Sequence, residues 1–320
     1  MGDQPAATTA TFGVDLGGTN LRIAVVDPDG TVVEEQRMPT PDTLDGIVAA
    51  IDDSVRALAG LRPGARALGV GAAGMVDDDG VIHYSPNVPA FRHAPVRARL
   101  EAAVGLPTVV DNDANVAAVA ELTHGAARGY REVLLVTLGT GVGGGVVTRG
   151  EVLRGAHGFG AEVGHFQVDP DGPVCACGQR GHWEAVASGT ALGAMGRARA
   201  AAGAAPSVLA QAGGDVDVIE GVHVGDAAQA GAPDAVELVA EYALQVALGL
   251  VGLANILDPE LIVVSGGLVE LDDVLLGPLR SAFAGRLEGA AYRPDVPIVP
   301  ALLAGHAGVV GAAVLARGLV

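Results

Sequence analysis

The sequence predicts an α/β fold of two lobes with a cleft between them, on three observations. Strand patterns alternate with helical ones along the chain, which argues for sheets covered by helices. A strand, a Gly/Thr turn and a second strand occur twice, near the start of each half, as a duplication of architecture without a fixed sequence period. At 320 residues the chain is long enough for two lobes, each with its own core.

The elements follow in order. Residues 11–16 read as a strand ending in Gly17-Gly18-Thr19-Asn20, and 21–26 as its partner, closed by the strong turn signal Asp27-Pro28-Asp29-Gly30. A third strand over 31–38 completes a meander. A helix over 44–59 takes Asp42 or Thr43 as its N-cap. Residues 67–72 form a strand leading to Gly74, 107–111 a short strand, and 112–124 an Ala-rich helix. The second half opens with a strand over 132–138, a glycine turn over 139–145 and a strand over 146–149. Helices over 190–202 and 235–257, a strand over 261–265, the turn Gly266-Gly267 and a last helix from about Gly308 complete the chain. This organisation predicts a tail over 1–10, a first lobe over 11–125 and a second over 126–320, with the last helix a candidate to pack back on the first lobe.

Composition narrows the function. Aromatics are 3% of the chain, so packing rests on Ala, Val and Leu, and 48 glycines make turns and close backbone approaches abundant. With 37 acidic against 19 basic groups the net charge is −18, which argues against a nucleic-acid partner. The start of the chain is polar, without the basic and apolar regions of a signal peptide. Residues 243–257 are too few to cross a bilayer and include Gln245, while 301–320 carry His306 and Arg317. Both read as buried helices of a cytoplasmic protein that has no membrane partner.

The most specific segment is 162–184. His165, Cys175, Cys177 and His182 offer four nitrogen or sulfur ligands at spacings that suit tetrahedral zinc, with no position left for water. Such a closed site organises structure and does not hydrolyse, so Glu162 and Glu184 beside it are the stronger functional candidates. The alternative is two small buried cysteines and satisfied core histidines. Both cysteines lie between histidines in a Gly-rich loop, which favours the metal. A Cys175–Cys177 disulfide would close a strained ring, and nothing else indicates an oxidising compartment.

The glycine turns carry a second chemistry. Asp15 ends a strand, and Gly17, Gly18, Thr19 and Asn20 then let backbone N–H groups approach an anion. No helix follows, so this is neither a P-loop nor a dinucleotide fingerprint, and an ordinary hairpin is the alternative. The second turn has five glycines and Thr140 within eight residues. Two such turns facing one cleft are what a nucleotide's phosphates need, with Asp15 near a Mg²⁺ ion. In Asp111-Asn112-Asp113-Ala114-Asn115 four of five residues are Asp or Asn. A helix N-cap requires only one of them, which leaves a carboxylate to serve as general base toward a hydroxyl and an amide as its neighbour.

These motifs, taken with Gly71 to Gly74, Asn87 with Phe91, Ser188-Gly189, Ser265 to Leu268 and Gly305 to Ala313, resemble the ROK family of sugar kinases and repressors over 12–315. The resemblance implies the actin-like, hexokinase-like (ribonuclease H-like) two-lobed fold. It also implies transfer of the ATP γ-phosphoryl group to a hexose hydroxyl, foremost glucose to glucose 6-phosphate. By that resemblance Asp113 is the general base and Asn112 a sugar ligand. Glu162, His165 and Glu184 bind sugar hydroxyls, Asn87 and Gly74 complete the pocket, and His165 serves both zinc and sugar. Gly139, Thr140 and Gly141 join the first turn on the phosphates, and Gly266-Gly267 lies against adenosine. A homodimer or dimer of dimers is implied as well. His182 departs from the family pattern, in which a cysteine is common; imidazole remains an acceptable zinc ligand.

Two alternatives follow from the same resemblance. An N-acetylated amino sugar, mannose or fructose would keep the reaction and change the substrate. A sugar-sensing repressor is the other class, disfavoured by the acidic charge and by a first strand that begins at Thr11. Polyphosphate as donor belongs to a branch that generally lacks the metal segment.

Overall fold

The computed structural model describes residues 9–61, 64–85, 88–303 and 305–320. Asn87 and most of the tail over 1–10 lie outside the described residues. The chain divides into two compact units. The first takes in the chain up to Tyr130 together with Gly145–Ala161 and Leu302–Val320; the second is Arg131–Gly144 and Glu162–Ala301. The boundary expected near residue 125 is close to the first crossing, but the second lobe is not the continuous stretch 126–320. Two of its segments belong to the first unit, including the last helix.

In the first unit β1 (Thr11–Leu16), β2 (Asn20–Val26) and β3 (Val32–Pro39) form the meander. Helix α1 (Leu44–Leu61) follows, and Thr43 is its cap: the Thr43 hydroxyl accepts the Gly46 N–H at 3.1 Å. Strand β4 (Leu68–Ala72) leads to a small sheet of β5 (Met75–Val76), β6 (Ile82–Tyr84) and β7 (Arg92–Ala94). Helix α2 (Val96–Val104), β8 (Thr108–Asn112) and α3 (Asp113–His124) complete this part. The main sheet has the order β3-β2-β1-β4-β8, with β1, β4 and β8 parallel. Phe12, Val14, Leu16, Ile23 and Val70 are buried in its core.

The chain then builds β9 (Val133–Leu138), β10 (Val142–Thr148) and β11 (Glu151–Val152). Helices α4 (Glu184–Ala187), α5 (Gly189–Ala201), α6 (Pro206–Gln211), α7 (Gly221–Gln229) and α8 (Pro233–Leu257) follow. The last elements are β12 (Leu261–Ser265), α9 (Asp273–Ala284), β13 (Ile298–Pro300) and α10 (Ala307–Arg317). The second sheet has the order β11-β10-β9-β12-β13, with β9, β12 and β13 parallel. Its order repeats that of the first sheet strand for strand, which is the duplication expected from the two strand–turn–strand units.

One strand differs from expectation. Gly143, Gly144 and Gly145 are not part of the turn; they lie inside β10, which starts at Val142 and not at Val146. The glycines serve close packing there: a Cβ on Gly144 would meet the Val163 side chain, and one on Gly145 would meet Ala114 and Ala118. The strands β5–β7, β11 and β13 are two or three residues long, too short to show alternation.

Helix α8 is the one described helix long and apolar enough to span a membrane. Leu238, Tyr242, Val246, Leu250 and Leu253 are nonetheless buried at helical spacing, the pattern of a core helix.

Helix α10 packs on β1 and β4 of the first unit, and glycine makes this possible. A Cβ on Gly13 would run into the carbonyl of Val309, and one on Gly69 into that of Ala312. The Thr11 hydroxyl donates to the Ala313 carbonyl at 2.7 Å. We predict that Gly69→Ala lowers stability by at least ~1–3 kcal/mol, because the obstacle is helix backbone and cannot rotate away. Denaturant unfolding checks this, and an unchanged midpoint would contradict that seating of α10.

Candidate active site

The β8–α3 junction assigns a separate duty to each polar residue. The Asn112 side chain is the N-cap, accepting from the N–H groups of Ala114 at 2.8 Å and Asn115 at 3.2 Å. Its amide donates to the Gly74 carbonyl at 3.1 Å, so these two candidate sugar-pocket residues are brought together. Asp111 is buried. One of its oxygens accepts the Asn112 N–H at 2.8 Å and the Asn115 amide at 3.0 Å. The other accepts Arg154 Nε at 2.9 Å and lies 2.7 Å from Arg154 Nη2. Asp113, at the first turn of α3, also accepts the Ala114 N–H, through one carboxylate oxygen at 2.9 Å, and so shares that donor with Asn112. Surrounding protein, with the negative charge of Asp15 added, pushes its pKa up to about 6. A carboxylate tuned this way is a better proton acceptor near neutral pH than an ordinary one.

The first glycine turn lies in the same unit. Gly17 N–H donates to Asn20 O at 3.0 Å, and the Thr40 hydroxyl donates to Gly17 O at 2.7 Å. Asp15, Gly17, Thr19 and Asn20 line a recess of about 340 Å³ together with Arg22 and Arg37. Burial raises the Asp15 pKa, opposed by Arg22, whose guanidinium lies 3.8 Å away. Arg22 is itself held by Glu35 at 3.0 and 2.9 Å. Neither arginine was singled out from sequence; on β2 and β3 they lack any motif, and only their proximity to the turn could have marked them.

In the second unit, Gly139 N–H donates to Gly141 O at 3.0 Å, and the carbonyls of Gly139 and Thr140 accept from Gly189 N–H and the Thr190 hydroxyl. Gly139, Thr140 and Gly267 line a cavity of about 580 Å³, large enough for a nucleoside. Gly141 and Gly266 are not among its lining residues. Arg197, Glu220 and Gln229, on or beside α5 and α7, give the cavity a polar side that carried no sequence signal.

The metal segment forms a tight loop on α8. Cys175 N–H donates to Gln179 O at 2.8 Å, and buried Trp183 donates through Nε1 to Gln245 O at 3.0 Å. One ligand atom each from His165, Cys175, Cys177 and His182 lie within 4.8 Å of one another, and both cysteines are free thiols. His165 Nδ1 is 3.3 Å from His182 Nδ1 and 3.8 Å from Cys175 Sγ, while Cys177 Sγ is 3.2 Å from His182 Nδ1. Tetrahedral zinc with bonds of about 2.0–2.3 Å needs ligand atoms roughly 3.3–3.8 Å apart, so the donor set fits. Burial pushes the Cys175 thiol up to about 12, so a cation is required to make it a thiolate. His165 Nε2 is left on the other side of its ring, 4.0 Å from Glu162. Glu184 accepts the Val142 N–H at 3.0 Å and lies 3.2 Å from Cys175 Sγ, which ties the metal segment to the end of the second glycine turn.

The family model described as "ROK family" matches residues 11–318. The chain belongs to the ROK family. A glucokinase of Streptomyces coelicolor is 42% identical over 312 residues, covering 96% of this chain and 97% of that one. An N-acetylmannosamine kinase of Citrobacter koseri is 35% identical, covering 97% and 99%. The crystal structure of a ROK family glucokinase from Streptomyces griseus, in complex with glucose and AMPPNP, superimposes with a TM-score of 0.87 at 42% identity, covering 97% of this chain and 99% of that one. The fold is thus the hexokinase-like α/β architecture.

As a general base Asp113 would have to be ionised, and its pKa is raised, so activity that rests on it would be lost as pH falls through that raised value. We predict an acid limb of kcat/KM displaced above the ordinary carboxylate range of about 4, toward 6. A pH–rate profile with its acid limb at 4 would contradict this.

Proposed function

We propose that this protein is a sugar kinase that transfers the γ-phosphoryl group of ATP to glucose, giving glucose 6-phosphate. The observation that carries this reading is the Asp113 carboxylate, set at the first turn of α3 with its pKa raised by burial, within a chain 42% identical to a curated glucokinase. Phosphoryl transfer needs little covalent help, only positioning, charge neutralisation and a base. The hydroxyl oxygen of the sugar bonds to the γ-phosphorus as the bond to the β-phosphate oxygen breaks, and Asp113 takes the hydroxyl proton.

The other residues then have distinct duties. Asn112, Gly74, Glu162, His165 and Glu184 orient the sugar, Asn87 being assigned on sequence alone. Gly17, Gly18, Thr19 and Asn20, with Gly139, Thr140 and Gly141, present backbone N–H groups to the phosphates, and the largely exposed Arg37 adds positive charge. Asp15 supplies a hard oxygen suited to Mg²⁺, which would neutralise charge on the phosphates. The cavity beside Gly267 takes the adenosine.

Zinc on His165, Cys175, Cys177 and His182 would act as a structural clamp. His165 would hold it through Nδ1, which would set the orientation of its Nε2 for the sugar. We predict one zinc per chain; elemental analysis of purified protein giving well under one equivalent would overturn this assignment.

A second substrate is favoured by one observation, the 35% identity to an N-acetylmannosamine kinase. The decisive experiment is a coupled ADP-release assay with Mg-ATP across glucose, mannose, fructose, N-acetylglucosamine and N-acetylmannosamine, with Asp113→Asn alongside. Glucose is expected to be preferred, and the variant to lose about 10²–10⁴-fold in kcat. Preferred turnover of an acetylated sugar would replace the substrate and keep the mechanism.

A further inference from the structure

Arg154 sits just past the β10–β11 hairpin, which turns at Arg149 and Gly150, both with positive φ. The hairpin is extended by Leu153 N–H donating to Val146 O at 2.7 Å, so the backbone that carries Arg154 is held on both sides of the turn. From there the guanidinium reaches Asp111, 43 residues earlier and two before the base, with Nε and Nη2 both on one carboxylate oxygen. The other oxygen is taken by Asn112 N–H and by the Asn115 amide. Four donors therefore hold one buried carboxylate, two of them charged, which makes this the strongest polar anchor of the β8–α3 junction. Asn112, joined to the anchor through its own N–H, also caps α3 and binds Gly74.

We propose that Arg154 is a positioning residue for phosphoryl transfer: by holding Asp111 it fixes the β8–α3 turn and so the place of the Asp113 carboxylate. The inference rests on the sugar-kinase reading. Removing the guanidinium leaves a buried carboxylate without its cation, which favours turning Asp111 toward water and carrying the turn with it. A base misplaced by about 1 Å costs on the order of 10²-fold in rate. Arg154 does not act on the nucleotide cavity, whose lining residues all belong to the second unit. Its loss is therefore expected to fall on kcat and to spare nucleotide binding.

The test is steady-state kinetics with glucose and Mg-ATP on the full chain, comparing wild type, Arg154→Ala, Arg154→Lys, Asp111→Asn and the Arg154→Ala/Asp111→Asn double variant, each with a thermal melt. We expect Arg154→Ala to lower kcat by about 10- to 100-fold with KM for ATP within about 3-fold. Arg154→Lys keeps the charge and loses the fork, so it should recover only part of the rate. The double variant should be no slower than the slower single one, since both changes break one interaction. An unchanged kcat in folded Arg154→Ala would overturn the inference, as would a loss carried by KM or single losses that multiply in the double variant. Should Arg154→Ala fail to fold, Arg154→Lys against Asp111→Asn decides by the same criteria. Wild-type turnover with an unaffected Arg154→Ala defeats this inference alone, whereas a wild type that turns over no sugar defeats the parent reading with it.

Discussion

A strand that runs directly into a helix leaves the first N–H groups of that helix without partners. At the end of β8 two side chains meet those groups, Asn112 accepting from Ala114 and Asn115 and Asp113 accepting from Ala114 as well. Asn112 is the N-cap of α3, an amide that caps well and carries no charge. A carboxylate at the cap would have placed a second negative group next to Asp113. The acidic neighbour that does exist, Asp111, points instead to Arg154, so its charge is met locally. What raises the Asp113 pKa is then its surroundings and Asp15, not its nearest neighbours in sequence.

The two sheets share one strand order, yet their glycines are used differently. In the first sheet Gly13 and Gly69 lie on strands, and their missing side chains let α10 approach β1 and β4. In the second, Gly143 to Gly145 lie in β10, and the equivalent closeness is to Val163 on one side and to α3 on the other. The turn that follows the first strand is kept in both sheets, at Gly17-Gly18 and at Gly139 to Gly141. A nucleoside-sized cavity lies where α5 and α7 flank the second turn.

Legibility in the sequence follows the range of the interactions. Turns, caps and the strands beside them are local, and Thr11–Leu16, Leu261–Ser265 and the Thr43 cap could be read from neighbours alone. The cluster of His165, Cys175, Cys177 and His182 was equally legible as a candidate donor set, because all four lie within one short segment. Arg154 and Arg22 were not, since each gains meaning from a carboxylate on another strand. The extent of the second glycine turn was misjudged for a related reason. Glycine marks a turn and a close approach alike, and only the position of Val163 and Ala118 distinguishes them. The helices α6 and α7 escaped notice because, at six and nine residues, they are too short to show a helical period clearly.

Charge remains to be reconciled with a polyanionic substrate. The chain carries 37 acidic groups and no lysine, so each of its 19 basic residues is an arginine. A lysine ammonium is a mobile point charge, whereas a guanidinium can be fixed by one edge and still present the other. Arg22 shows the fixed state, with Glu35 on two of its nitrogens and the Gly305 carbonyl on the third. Arg37, 62% exposed and 3.7 Å from the same Glu35, is held far more loosely beside the first glycine turn. On the proposed reading, most of the attraction for phosphate would come from oriented backbone N–H groups, which need no net positive charge. A protein with a net charge of −18 could receive a nucleotide in this way, the favourable field coming from fixed dipoles and the few arginines correcting it where carboxylates lie close.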